Sequence, residues 1–351
     1  MTTPLRGRGA RTNPPNRFET LRLDSTVFEP DEEELHRPVA TRFYRDRSRT
    51  VLERNDSPDI PFRYSLNPYR GCEHGCVYCY ARPSHEYLGF SAGLDFESKI
   101  MVKTDAPELL ERTFRSARWK PEPVALSGNT DCYQPAERAL MLTRRCLEVF
   151  RRFRNPVSIT TKNALILRDL DHLTSLAEAD CVHVAISITS LDHSLVRVME
   201  PRTSAPARRL ETIAELARRN IPVGVTMAPV IPGLTDEEIP QVLAQAAQAG
   251  ARYSGYTLLR LPGAVAELFV DWLRTRYPSR ADRVINRIRD TRGGELDDCR
   301  FGIRMEGEGE IARAIDQLFT LNARKYSLDA PWSELSTTRF RRDTGSQLEL
   351  L

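Results

Sequence analysis

Cys72, Cys76 and Cys79 stand at C-x3-C-x2-C spacing inside residues 65–83, which read Ser-Leu-Asn-Pro-Tyr-Arg-Gly-Cys-Glu-His-Gly-Cys-Val-Tyr-Cys-Tyr-Ala-Arg-Pro. Pro68, Gly71 and Gly75 make this stretch a turn-rich loop that can fold back and gather the three thiols. Thiolates are soft ligands, and three on one loop suit an iron-sulfur cluster or zinc. A 4Fe-4S cluster held by only three cysteines leaves one iron without a protein ligand, and an exogenous small molecule can dock there. Zinc asks for a fourth ligand, for which His74 and His85 are at hand, but no second C-x2-C accompanies the first.

Tyr78 directly precedes the third cysteine. The wider string Asn-Pro-Tyr-Arg-Gly-Cys-x-His-Gly-Cys-x-Tyr-Cys-Tyr-Ala-Arg resembles the cluster loop of the radical S-adenosylmethionine superfamily, and more narrowly its spore photoproduct lyase-like (DNA repair photolyase-like) subgroup. The resemblance implies an enzyme with a 4Fe-4S cluster on Cys72, Cys76 and Cys79, with S-adenosylmethionine chelated at the open iron and Tyr78 beside it. Members of that family cleave the sulfonium with one electron and abstract hydrogen with the resulting 5'-deoxyadenosyl radical. The implied partners are an external electron donor of the flavodoxin or ferredoxin type and a nucleic-acid base to be repaired or modified. A reading from another class keeps the loop as a zinc or iron-sulfur staple in a non-catalytic nucleic-acid-binding module.

Such a loop needs elements to hold it. Short runs at 62–67, 123–127, 157–161, 182–188, 223–227 and 253–259, β-branched at 157–161, alternate with helical patterns at 107–116, 136–150, 166–176, 207–219 and 237–249. A further short strand is predicted at 97–102. Strands alternating with helices predict an α/β fold with a parallel sheet, and the family resemblance narrows this to a partial (β/α)6 TIM-like barrel over residues 61–262. Residues 1–60 read as a basic, partly disordered N-terminal extension, and residues 263–351 as a helical C-terminal extension.

Parallel barrels carry their reacting groups at the C-terminal strand ends. By resemblance, Ser127, Gly128, Asn129, Thr130 and Asp131 take the place where the family holds the methionine ammonium, with Ser127-Gly128-Asn129 standing for the usual Gly-Gly-Glu. Asp131 has a second reading as acceptor for loop amides. Lys162, after the third strand, suits a cofactor carboxylate or a substrate phosphate. Ser187 is expected at the ribose hydroxyls, Glu200 and Arg202 at carboxylate and ribose or as a loop ion pair, and Ile231 at adenine. Cys132 is a candidate hydrogen donor to a product radical, or else a small buried hydrophobe. Arg260 is expected to face the mouth.

The 351 residues carry 40% hydrophobic content, enough for one large core. A formal charge of +3 from 51 basic and 48 acidic residues says little about partners, although all but five of the basic residues are Arg. Seven cysteines, four of them scattered, do not form a disulfide framework in a chain this long. No run approaches the roughly 18 apolar residues of a membrane span, and a cytoplasmic, membrane-free protein is expected. Residues 1–24 predict a disordered basic arm, residues 42–49 a basic aromatic patch near the mouth, and Arg276, Arg280, Arg283 and Arg287 a basic stripe if Pro278 leaves that helix whole.

Overall fold

The computed structural model describes residues 7–18 and 39–342. Ten strands form two sheets: β1 (Arg42–Arg45), β2 (Leu52–Arg54), β3 (Tyr64–Leu66), β4 (Tyr69–Arg70), β5 (Lys99–Val102), β6 (Val124–Leu126), β7 (Val157–Thr161), β8 (Val182–Ser187), β9 (Val223–Val230) and β10 (Tyr253–Leu258). The larger sheet runs β10-β9-β8-β7-β6-β3-β2. Its six strands β3 and β6 to β10 are parallel, and β2 caps one edge antiparallel to β3. Four of the six lie within one residue of the predicted runs, whereas β3 begins two residues later than expected and β9 continues to Val230. Valines at matching register, Val124 beside Val157 and Val157 beside Val182, suit a pleated sheet buried on both faces. The sheet stays open, with β10 and β2 as its rims.

Helices cover the sheet and build its core. Phe114 of helix Ala106–Arg115 packs edge-on against Phe150 and Phe153 of helix Leu142–Phe153. The long C-terminal helix Gly309–Lys325 adds Ala312, Ile315, Phe319 and Ala323 to the same core. A second core joins Val77 and Tyr78 of the cysteine loop to Met199, Phe269, Trp272 and Val284. The helices Ala264–Arg276 and Pro278–Asp290 thereby brace the loop from outside.

Several local expectations are corrected. Residues 97–98 belong to helix Leu94–Ser98, and only Lys99–Val102 is strand. The helix predicted over 136–150 is split at Met141, whose φ of 51° is left-handed. The 166–176 segment begins as a 3-10 turn, Ala164–Asp169, before helix Leu170–Ala177. Pro278 does break the basic stripe, because it opens a new helix after Arg276. Residues 7–18 are packed: Arg8, Ala10 and Asn16 are buried. The rest of the predicted arm, 1–6 and 19–24, lies outside the described residues. Residues 42–49 include the exposed β1, which pairs with β5 in the smaller sheet β1-β5-β4, and none of them lines the cavity described below.

Candidate active site

The cysteine loop is shaped by two glycines and locked by one arginine. Gly71 and Gly75 have φ of 80° and 65°, and a Cβ on Gly75 would lie 2.6 Å from a Glu97 carboxylate oxygen. Arg82, fully buried, donates through Nε and Nη2 to the Cys76 carbonyl at 3.0 and 2.9 Å, and through Nη1 to the carbonyls of Ala92 and Gly93. Its Nη2 also pairs with the buried Glu97 at 2.5 Å. The same carboxylate accepts the amides of Gly9 and Ala10, at 3.0 and 2.8 Å, which ties the N-terminal arm to the loop. Backbone bonds from Cys72 to Phe96 and from Val77 to Met199 complete the frame.

So held, Cys72, Cys76 and Cys79 line one cavity of about 380 Å³, a size common for small-molecule sites. The other walls come from the C-terminal ends of β6 to β10: Ser127 to Asp131, Thr160 to Lys162, Ser187, Ala228 and Pro229, and Thr257 and Leu258. Ile60, Pro61, Phe62, Arg260 and Met305 also border it. Asp59, in the β2–β3 connection, meets Arg304 in a bidentate pair at 2.6 and 2.5 Å. Since Arg304 lies on helix Ile303–Glu306 against β10, the pair spans the two rims of the open sheet.

Burial pushes all three thiols above the ordinary cysteine range, and the thiols raise one another where they meet. Metal binding must therefore displace protons from them. Among the described residues no three His, Cys, Asp or Glu side chains are gathered as ligands for a single ion. His74 is engaged at both ring nitrogens, with Nδ1 3.3 Å from Asp131 and Nε2 3.1 Å from Asn163, and so does not offer zinc a fourth ligand. His85 donates Nε2 to the Lys99 carbonyl at 2.9 Å. Three thiols alone around a cavity large enough for more than an ion fit a multi-iron cluster with one open position.

At the end of β6, Ser127 adopts φ 73°, left-handed and unusual for serine. Asn129 and Thr130 donate their amides to the Asn67 side chain, and the Thr130 hydroxyl is taken by the Tyr69 carbonyl. Asp131 accepts from Thr161, from the amides of Lys162 and Tyr133, and faces His74. Burial raises its pKa, but His74 and these donors outweigh that and hold it below the usual range. Asp131 thus accepts two loop amides and also borders the cavity.

Lys162 extends into the cavity wall and contacts Ser187 Oγ at 2.5 Å, the Ala228 carbonyl at 2.9 Å and Glu200 at 3.7 Å. Tyr78 donates its hydroxyl to Glu200, which also takes Thr189 and the fully buried Arg209. Burial pushes the Glu200 carboxyl up, yet Arg209, Lys162 and the two hydroxyl donors hold it at about 2. Glu200 is thus an anion kept behind Tyr78 and Lys162.

The predicted set divides accordingly. Tyr78, Ser127, Gly128, Asn129, Thr130, Asp131, Lys162 and Ser187 line the cavity with the cysteines. Four do not. Glu200 lies behind the wall, and Arg202 pairs with Glu73 at 2.9 Å. Ile231 is fully buried in the second core, among the cysteine loop and the helices that brace it, and Cys132 in the main core, and neither lines the cavity. Sequence reasoning missed Arg82, Glu97 and Arg209, the buried charges that hold the site. For Arg82 a signal existed in the Tyr-Ala-Arg that closes the cysteine string; Glu97 and Arg209 carried none.

The uncharacterized protein Rv2578c of Mycobacterium tuberculosis is 40% identical over 228 residues, 64% of this chain and 66% of its own length, so the chain spans slightly less than two thirds of that relative. The uncharacterized protein MJ0683 of Methanocaldococcus jannaschii is 28% identical over 176 residues, 50% of this chain and 63% of that one. Among solved structures, a spore photoproduct lyase mutant matches with a TM-score of 0.58 at 16% identity, covering 86% of this chain and 84% of the other. Another mutant of that lyase, with bound AdoMet and dinucleoside spore photoproduct, gives 0.55 at 15% identity over 86% and 84%. These likenesses give the fold: an α/β chain with the open parallel sheet of that lyase. The family model described as the Radical SAM superfamily matches residues 66–246, the cysteine loop and most of the sheet included, and the chain belongs to that superfamily.

Proposed function

We propose that the chain binds a 4Fe-4S cluster through Cys72, Cys76 and Cys79 with S-adenosylmethionine beside it, and removes a hydrogen atom from a nucleic-acid base. Family membership implies both cofactors, and a fold neighbour was solved with AdoMet bound. The observation that carries the reading is three thiols facing one cavity of about 380 Å³ built from parallel-strand ends. When bound, the cluster and the sulfonium supply a 5'-deoxyadenosyl radical, using an electron from a donor of the flavodoxin or ferredoxin type.

The chain's own residues do the rest. Lys162 presents an ammonium to a carboxylate in the cavity, and Glu200 behind it keeps that charge in place. Asn129 and Ser187 offer polar contacts beside the thiols. Phe62, Tyr80, Leu258 and Met305 give the cavity its apolar walls, which exclude water from a reactive radical. The nucleic-acid substrate rests on the fold neighbours solved with a dinucleoside spore photoproduct.

Anaerobic purification tests the reading. A brown protein with about four irons per chain, forming 5'-deoxyadenosine when reduced with S-adenosylmethionine, is expected. Cys72→Ala, Cys76→Ala and Cys79→Ala should each abolish that product. A colourless zinc protein would overturn the reading in favour of a metal-stapled binding module. Deuterium carried from labelled DNA or RNA bases into 5'-deoxyadenosine would support the substrate class, and its absence from every base, with cofactor cleavage intact, would remove it.

A further inference from the structure

Arg260 follows β10 and lines the cavity. Its guanidinium stands over the Tyr80 ring, 5.6 Å from the centroid, and the Tyr80 hydroxyl is fixed on the Gly128 carbonyl at 2.7 Å. Its Nη1 meets only the Met305 thioether at 3.8 Å, a weak acceptor, and its Nε is buried with no hydrogen-bond partner. Among the described residues no carboxylate pairs with it. The acids nearby are committed elsewhere, Asp297 to the amide of Leu261 and Asp59 to Arg304. Burial and the neighbouring Arg304 charge act against the Arg260 cation and outweigh the support it takes from Asp297, Tyr80 and Asp59, none of which hydrogen-bonds to it. Arg82 and Arg209, which hold the site, each have a buried glutamate, and the buried Arg292 donates to the carbonyls of Ile303 and Leu259.

A partly buried guanidinium with no anion hydrogen-bonded to it is poorly compensated, and the cavity it borders is open to one. Its surroundings narrow the choice. Guanidinium binds phosphate oxygens bidentately, and bases stack on aromatic rings of the kind Tyr80 and Phe62 provide there. A carboxylate would answer the charge but leave the aromatic faces unused. Resting on the radical reading above, we propose that Arg260 anchors the backbone phosphate of the nucleotide whose base enters the cavity, with Tyr80 and Phe62 as the faces that receive the base.

The test uses the anaerobically reconstituted full chain and three probes: a single-stranded DNA trinucleotide, its methylphosphonate counterpart, which keeps the bases and loses the backbone charge, and an acidic tripeptide. The wild-type protein should bind the phosphodiester about tenfold tighter than the neutral analogue. Arg260→Gln should erase that preference, and Arg260→Lys should restore part of it, because charge survives without the planar fork. Equal binding of the two oligomers by wild type, a preference that survives in Arg260→Gln, or capture of the tripeptide in place of DNA would each overturn the assignment. Production of 5'-deoxyadenosine by the same wild-type sample is scored separately. Its absence refutes the radical reading, whereas its presence with equal binding refutes only the role of Arg260.

Discussion

Glu200→Gln isolates the electrostatic support of the site. The carboxyl is fully buried and held at about 2, against an ordinary 4.5, by Arg209, Lys162, Tyr78 and Thr189 despite the opposing effect of burial. A shift of that size corresponds to roughly 3 kcal/mol at neutral pH. The other route to a magnitude is the fate of Arg209: with Glu200 neutral, a fully buried guanidinium loses its partner, and broken buried pairs cost about 3–5 kcal/mol. The two estimates agree on about 3 kcal/mol, a large part of the stability of a typical domain. Urea unfolding at pH 7 should show a loss of that order. Because the folded pKa lies below the unfolded one, the wild-type advantage is complete above pH 4.5 and fades as pH falls towards 2. A loss under about 1 kcal/mol at pH 7, or a gap between the proteins that stays constant through that acid window, would refute the reasoning.

Other consequences follow from the frame around the loop. Arg82→Met should destabilise by about 3–5 kcal/mol, leaving the Glu97 charge and the Cys76 carbonyl buried without their partner; an unchanged denaturation midpoint would count against the lock. Deleting residues 1–18 should lower the iron retained per chain after reconstitution, since Gly9 and Ala10 supply two of the donors to Glu97; full iron loading by the shortened chain would show that the arm is dispensable. His85 is held at about 4 by burial, which outweighs its bond to the Lys99 carbonyl, so folding favours the neutral ring. Stability tied to it should decline as pH falls from 6.5 to 4, by an amount on the order of 3 kcal/mol, and His85→Phe should flatten that decline in a pH series of unfolding curves.

What could be read from the chain was local. The C-x3-C-x2-C loop is eight residues with its own turn formers, and parallel strands such as Val157–Thr161 are short runs rich in β-branched residues, so both stand out without tertiary knowledge. The strand-end rule then placed Asn129, Asp131, Lys162 and Ser187 at one cavity. Burial was not local. Ile231 and Cys132 sit near strand ends yet face the packed cores, which depends on helices far along the chain. The Gly9 amide reaches Glu97 across 88 residues, and nothing in a Gly/Pro/Arg-rich arm marks such a contact. Met141 breaks a helix with no glycine or proline to announce it.

The Asp59–Arg304 pair joins residues 245 positions apart, and the sequence neighbours of the two, Ile60 and Met305, both line the cavity. The pair cannot form before Arg304 has been added to the chain. During synthesis from the N-terminus, the cysteine trio and the first parallel strands leave the ribosome well before this latch exists. The thiols of a nascent chain therefore face water from that flank until residue 304 has been made and can meet Asp59.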